Sequence, residues 1–256
     1  MITILVACHK PYAIPRFSPY YPVEVGACCR EDLNLGGARD NQGENISEKN
    51  PNFCELTALY WAWKNLDSSH QFIGLVHYRR YFGQKKGADY LSDVYSEEEW
   101  REVLKTNSIV LPPKRNYFIE TVRSQYIHAH HKQDLQVLRE VLKTKHPRYL
   151  KAFDVLMEGT KTHIYNMFVM RRDLFDNYCE WLFDVLFEVE KRLDISDYSK
   201  NDARVFGFLS ERLIDVWLDT NEICYKEEPL IFSETTNWVK KGTSFLLRKL
   251  GLHSIG

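Results

Sequence analysis

A chain of 256 residues with a formal net charge of −1 is long enough for one sizeable core and lacks the global basic field that nucleic-acid binding requires. Its 15 Tyr, 14 Phe and 6 Trp suit both a well-packed interior and a site lined for flat or hydroxylated ligands. The six cysteines, Cys8, Cys28, Cys29, Cys54, Cys179 and Cys224, show no C-x-x-C spacing, which points to reduced thiols rather than to a zinc site or a disulfide framework.

Ile2–Cys8 is apolar throughout but has neither the basic start nor the length of a signal peptide, so it reads as a first strand; no run approaches the length of a transmembrane helix. His9 and Lys10 stand at its exit. Val23–Cys29 suits a short second strand. Residues 33–50 are rich in Gly, Asn and Asp, including Asp40, Asn41 and Asn45, and read as an irregular loop without the closing Gly-Lys-Ser/Thr of a P-loop. Asn50-Pro51 reads as an N-cap and first position of a helix whose Phe53, Leu56, Leu59, Tyr60 and Trp63 form a core-facing stripe, with the polar Glu55 and Thr57 near its start.

Phe72–Phe82 organises the chain. It begins as an apolar run short enough for a buried strand and ends in His77-Tyr78-Arg79-Arg80. Ligands of open α/β sheets bind beyond the carboxyl ends of strands, where this histidine and these arginines would face an anionic group. As plain structure they would be a core histidine and ion-paired surface charges, and the stretch alone leaves both readings open.

Ser96-x-x-Glu99 is a capping box ahead of Trp100, Val103 and Leu104, so the run Glu97–Glu99 is explained by the helix dipole. Ser108–Leu111 reads as a strand stopped by Pro112-Pro113, with Lys114 and Arg115 at its exit. Tyr126 precedes His128, His130 and His131; His128 and His131 share a helical face, but no acidic residue completes an H-E-x-x-H pattern, which favours polar or substrate-contacting roles over metal ligation. Two amphipathic helices, 134–144 and 148–157, are separated by Pro147. Thr162–Met170 reads as a strand carrying the unusual His163 and Asn166, and Asp173 as the N-cap of a long apolar-faced helix. A loop ending at Asp202 leads to a helix over 203–220, in which Glu211 and Arg212 sit among apolar residues; such a carboxylate pairs with the arginine or has a raised pKa. Residues 223–232 close the sheet. Strands alternating with helices predict an α/β fold with a mostly parallel central sheet. In 237–252, lysines and arginines interleave with Trp238 and leucines, a pattern suited to peripheral membrane contact or to a helix packed on the domain.

Several strings carry a resemblance: Asp40-Asn41-x-Gly43-x-Asn45-Ile46-Ser47, Cys54-Glu55-Leu56-Thr57 with Tyr60-Trp61-Ala62-Trp63-Lys64-Asn65, Gly74-Leu75-x-His77-Tyr78-Arg79-Arg80-Tyr81-Phe82, Arg115-Asn116-Tyr117, Asn166-Met167-Phe168 and Phe206-Gly207-Phe208-Leu209-Ser210-Glu211-Arg212. Together they resemble the bacterial DUF4422 family of capsule, exopolysaccharide and O-antigen gene clusters, over essentially the whole chain. The resemblance implies a single GT-A-like domain over 1–235, with helices on both faces of the sheet and a helical acceptor-side region, followed by a basic amphipathic tail over 236–256. It implies a glycosyltransferase that moves a sugar, with UDP-galactofuranose as the leading donor, to a growing cell-surface polysaccharide or lipid-linked oligosaccharide. The setting it implies is the cytoplasm, at the inner face of the membrane.

On this reading His9, Lys10, Asp40, Asn41, Asn45, His77, Arg79 and Arg80 are donor-side groups, with Asp40 on the nucleoside. Arg115, Tyr126, His128, His131 and Asn166 face the acceptor. An inverting transfer needs a general base, for which Glu211 ranks first and Asp202 second. GT-A enzymes commonly hold a divalent ion with Asp-x-Asp, which this chain lacks. The expectation is therefore that His77, Arg79 and Arg80 stabilise the departing UDP without a metal, the alternative being Mn²⁺ or Mg²⁺. Two other classes stay open: a nucleotide-sugar hydrolase with His128, His131 and His163 around a metal, and a non-catalytic UDP-sugar-binding partner in a synthesis complex. Full turnover in excess chelator is the expected result for the metal-free reading, and activity lost to chelator and restored by Mn²⁺ would overturn it.

Overall fold

The computed structural model describes residues 1–87 and 89–233. Its central strand is β1 (Ile2–Cys8), buried at every position, as a strand covered on both faces must be. β1 pairs in parallel with β2 (Tyr20–Glu24) on one side and β4 (Phe72–His77) on the other, and β3 (Ala38–Arg39) continues the parallel edge beyond β2. Past β4 the direction reverses: β9 (Phe168–Arg171) runs antiparallel between β4 and β6 (Ile109–Leu111), and β10 (Lys226–Glu227) lies parallel to β6. β5 (Arg80–Phe82) folds back on the end of β4 and pairs with β11 (Leu230–Phe232), while β7 (Arg115–Asn116) and β8 (Lys161–Thr162) form a separate ribbon.

The alternation of strand side chains divides the core in two. Leu5, Ala7, Ile73, Leu75, Ile109, Leu111, Phe168 and Met170 face one side. There they meet α2 (Leu56–Asn65), α5 (Val122–Ala129), α6 (Lys132–Lys145), α7 (Pro147–Glu158), α8 (Arg172–Arg192) and α9 (Val205–Thr220). Ile4, Val6, Val76, Val110 and Val169 face the other side, where Trp100 and Leu104 of α4 (Glu97–Leu104), which follows the short α3 (Tyr90–Asp93), cover them together with Tyr20, Tyr81 and Tyr95. The capping box of α4 forms as expected, with Glu99 N–H on Ser96 Oγ and Ser96 N–H on the Glu99 carboxylate. The arrangement is α/β with a mostly parallel central sheet.

Local readings need correction where the chain turns tightly. The second strand comes earlier than expected, because Gly26 takes a φ of 65° and residues 27–29 form a 3₁₀ turn. The expected helix from residue 50 is two helices, α1 (Asn50–Phe53) and α2, broken where Cys54 takes a φ of 54°; Asn50 bridges the break by donating its amide to Cys54 O at 2.7 Å and Thr57 Oγ1 at 3.2 Å. The expected strand over 162–170 is interrupted, with Tyr165 and Asn166 at φ of 80° and 53° between β8 and β9. Asp173 lies in the first turn of α8 rather than at its N-cap, where its carboxylate takes two bonds from Arg171 at 2.6 and 2.9 Å. The expected tail over 236–256 lies outside the described residues.

A buried charge network fastens the ribbon and β10 to α9. Asp215 accepts His163 N–H at 2.8 Å, the His163 ring at 2.7 Å, Thr162 Oγ1 at 3.0 Å and Lys114 Nζ at 2.9 Å. These donors and charges hold its carboxyl at about 2 against the pull of burial. Because that lies below the ordinary value of roughly 3.9, the network's contribution is complete above about pH 4 and is lost as the pH falls toward 2. Asp215→Asn is expected to cost about 3–5 kcal/mol at neutral pH, since it leaves buried partners uncompensated. Denaturant titrations at pH 7 and pH 3 check this: the wild type should lose more stability between them than the variant.

Candidate functional site

The exits of β1 and β4 lie side by side, because the parallel register pairs Ala7 with His77. Tyr78 and His9 meet there, ring edge to ring face at 5.1 Å, with 3.5 Å between the Tyr78 hydroxyl and His9 Nε2. Lys10 Nζ stands 5.7 Å from the Tyr78 ring centre, and the Arg79 guanidinium 5.1 Å from it. Arg80 packs over the Tyr165 ring at 4.4 Å. Arg30 reaches in from the loop after β2 and donates to His9 O at 3.2 Å and Val25 O at 3.1 Å. Burial lowers the pKa of His9, and the charges of Arg30, Lys10, Arg79 and Arg204 lower it further, so His9 is a neutral imidazole in a field of cations.

Two carboxylates border this field. Glu55 immediately precedes α2, beyond the Cys54 break, and its Oε1 accepts the Asn166 amide at 2.7 Å while lying 3.9 Å from His77 Nε2. His77 donates Nε2–H to Tyr165 O at 2.5 Å. Glu211, on the second turn of α9, accepts Tyr165 N–H on Oε1 at 3.1 Å and Arg212 Nη1–H on Oε2 at 2.6 Å. Burial raises the Glu211 pKa, the Arg212 charge opposes that rise, and the nearby Glu55 carboxylate adds to it. α9 comes this close because residue 207 is glycine: a Cβ there would sit 3.2 Å from Cys54 Sγ and 3.3 Å from Cys54 Cβ. The Cys54 thiol itself is pushed up to about 12 by burial and by Glu55, so it stays protonated, and it accepts Arg204 Nε–H at 3.2 Å.

A second cluster adjoins α9. His130 stacks on Phe208 at 4.1 Å and His131 on Tyr198 at 4.1 Å, and both face Asp202, at 3.9 and 3.7 Å. Burial and the Arg212 charge hold His130 down to about 4. Asp202 also accepts Ser199 Oγ–H at 2.6 Å, which helps keep its carboxyl below the ordinary range.

The structure thus gathers His9, Lys10, His77, Arg79 and Arg80 of the expected donor side, with Asn166 and Glu211. Asp40 is a correction. It is fully buried, and its carboxylate is consumed by Gly26 N–H at 2.7 Å, Ala27 N–H at 2.9 Å and Ser47 Oγ–H at 2.5 Å, so it shapes the loop and does not face a ligand. Asn45 is exposed and braces the same loop through Gly43 O and Ser47 N–H, and Asn41 is half-buried beside it. Tyr126 is also a correction: it is fully buried and donates its hydroxyl to Asp134 at 2.9 Å. His128 is exposed and pairs with Glu120 at 2.7 Å, and Arg115 is exposed on the ribbon. His128, His131 and His163 occupy three separate settings, and among the described residues no three His, Cys, Asp or Glu side chains converge to hold a metal ion. Glu55, Tyr165, Arg30 and Arg204 were not expected; of these only Glu55 gave a signal, as a charged residue at the start of an apolar helix.

The model of the family described as "domain of unknown function (DUF4422)" matches residues 3–222. The chain belongs to the DUF4422 family. This DUF4422 chain also superposes on the apo structure of the bifunctional glycosyltransferase WbbM with a TM-score of 0.84 and 27% sequence identity, over 91% of its own length and 45% of that protein's. No curated protein matches the sequence. The residues matched by the family model, 3–222, include the elements that carry the cations and the carboxylate pair, to the end of α9.

The turn at 165–166 places two non-glycine residues at positive φ, and an asparagine tolerates this better than most residues because its short amide bonds locally. In this DUF4422 chain the Asn166 amide bonds Glu55 and Gly207 O, the latter at 3.1 Å. Asn166→Ala is expected to cost about 2–3 kcal/mol through the lost bonds and the unfavourable backbone. Asn166→Gly should cost about 1 kcal/mol less, because glycine adopts this φ freely. Urea unfolding of both variants separates the two contributions, and equal costs would remove the backbone from the account.

Proposed function

We propose that this DUF4422 chain is a glycosyltransferase that binds the diphosphate of a UDP-sugar at the joined exits of β1 and β4. The observation that carries the reading is the gathering of Lys10, Arg30 and Arg79 about His9 and Tyr78 at the strand exits, with Arg204 in the field of His9, Glu55 and Glu211. A leaving diphosphate gains negative charge as its bond to the sugar breaks, and preorganised guanidinium groups stabilise that charge through charge-assisted bonds. The fold shared with a protein described as a bifunctional glycosyltransferase supports the same reaction class.

In this reading the acceptor hydroxyl loses its proton to Glu55 as its oxygen attacks the anomeric carbon from the face opposite the diphosphate. The carbon–oxygen bond to the diphosphate breaks, and its electron pair leaves with UDP. Glu211 ranked first as the base, but both of its oxygens are engaged, by Tyr165 N–H and by Arg212. Glu55 has one oxygen on Asn166, and its other oxygen accepts no hydrogen bond from a described residue. Glu211 then positions: it fixes the Tyr165–Asn166 turn, with its own pKa raised by burial and by the Glu55 charge. Asp202, with His130 and His131 facing it, is assigned to the acceptor side. Galactofuranose as the sugar, inversion at its anomeric carbon, a lipid-linked saccharide as acceptor and independence from a metal complete the proposal.

Thermal-shift titration with UDP, UDP-galactofuranose, UDP-galactose, GDP and CMP tests the donor site, because a ligand of the native state raises the midpoint by mass action. A UDP-selective rise that disappears in Arg79→Ala is expected, and no rise with any nucleotide would overturn the proposal. Glu55→Gln should keep the UDP shift while turnover falls by about 10²–10⁴-fold, the usual span for a lost general base. Unchanged turnover in Glu55→Gln with loss in a folded Glu211→Gln would return the role to Glu211.

A further inference from the structure

The loop after the β7 ribbon strand carries Phe118 and Ile119, 78% and 70% exposed, the two most exposed large apolar side chains among the described residues. They adjoin one another at the tip of a tight, well-bonded turn. Phe118 N–H bonds Asn116 Oδ1 at 2.8 Å, Ile119 N–H bonds Tyr117 O at 2.7 Å, and the loop is fastened at both ends by Tyr117 N–H on Thr160 O and Val122 N–H on Gly159 O, each 2.8 Å. Phe118 holds a φ of 60°, a backbone conformation that glycine adopts freely and an aromatic L-residue does not. The turn would therefore form more easily without the ring that it displays.

The charged side chains about the loop, Arg115, Arg123 and Lys161 against Glu120 and Glu158, sum to +1. Glu120 is taken by His128 and Glu158 by Arg123, at 2.7 and 2.9 Å. That leaves Arg115 and Lys161, both exposed on the two-stranded ribbon at the base of the loop, where Asn116 pairs with Lys161. An aromatic and an aliphatic tip flanked by cations matches the boundary between acyl chains and anionic headgroups: apolar groups enter the boundary and the cations meet the phosphates. Among the described residues no helix is long and apolar enough to cross a membrane, so contact through these residues would be peripheral.

The loop also leads to the site. The residue before Phe118 is Tyr117, whose pKa is raised by burial, with the Arg212 charge opposing the rise and the Glu211 charge adding to it. We propose that Phe118 and Ile119 form an interfacial anchor that seats this chain on an anionic bilayer. The inference does not rest on the transferase reading, because membrane binding is read without turnover.

The test is co-sedimentation of the full chain with vesicles of phosphatidylethanolamine and phosphatidylglycerol, and with phosphatidylcholine vesicles alone. The wild type should bind the anionic vesicles, and a Phe118→Ser/Ile119→Ser variant should bind them at least about tenfold more weakly. An Arg115→Ala/Lys161→Ala variant should lose the preference for anionic lipid and its dependence on salt. Both pairs are exposed, so an unchanged melting midpoint shows that each variant is folded. Equal binding by the wild type and the Phe118→Ser/Ile119→Ser variant would overturn the proposal and move the contact to residues beyond 233. Failure of the wild type to bind either vesicle would overturn it too, as would self-association that depends on Phe118, which would make the tip a contact between copies.

Discussion

The amide of Asn166 ties together the three elements from which the site is built. One Nδ2 reaches the Glu55 carboxylate ahead of α2 and the Gly207 carbonyl in the first turns of α9, while its own backbone makes the turn into β9. Hydrogen bonds to charged groups contribute more than neutral ones, and this one lies where water has little access, so it holds the turn against the cost of its left-handed backbone. Tyr165, the other residue of that turn, is fixed from both sides: its N–H meets Glu211 and its carbonyl meets His77. A histidine from a parallel strand and a carboxylate from a late helix are thereby set by the same residue.

The charges of the candidate site are separated by sign. Lysine and arginines crowd the strand exits, where burial and then their charges keep His9 neutral, and the carboxylates lie at the start of α2 and in α9. The N-terminal end of α9 adds its own partial positive charge beside Arg204. Glu211 bears the burial cost and is compensated by Arg212, whose guanidinium is itself fixed by Phe208 O and Gln125. Glu55 is half-buried at one edge of the same space, where it meets the Asn166 amide rather than an arginine at hydrogen-bonding distance. Glu55 and Glu211 thus stand in unlike settings, the first against an amide and the second against a guanidinium.

Much of the frame was legible because it rests on local rules. The unbroken apolar run of β1, the apolar approach to His77 and the Ser96–Glu99 capping box each follow from periodicity or capping within a few residues. Glu211 and Arg212 stood out as charges among apolar neighbours, and they do pair. What stayed hidden depends on distant contacts. Cys54 breaks its helix because α9 crosses there at Gly207, and nothing within ten residues of Cys54 announces that crossing. Asp40 looked like a ligand group because polar loops so often are; only the fold brings Gly26, Ala27 and Ser47 to its carboxylate. Tyr126 likewise offers a hydroxyl, and the fold places Asp134 against it in the core.

Three of the six non-glycine residues at positive φ among the described residues lie at this site, the others being Asn34, Phe118 and Glu222. Cys54, Tyr165 and Asn166 take positive φ values without being glycines, and all three touch or adjoin the Glu55–Glu211 pair. Such positions cost of order 1–3 kcal/mol each and persist only when their surroundings over-determine them. Here the surroundings are the carboxylates themselves. A sequence selected only for folding would relieve the turn with glycine and fill position 207 with a helix former. Keeping asparagine and tyrosine in the turn and glycine in the helix gives the opposite: less backbone ease, in return for a carboxylate, an imidazole and an amide locked at hydrogen-bond range. That exchange is intelligible for a site whose groups must already be in place when charge begins to move.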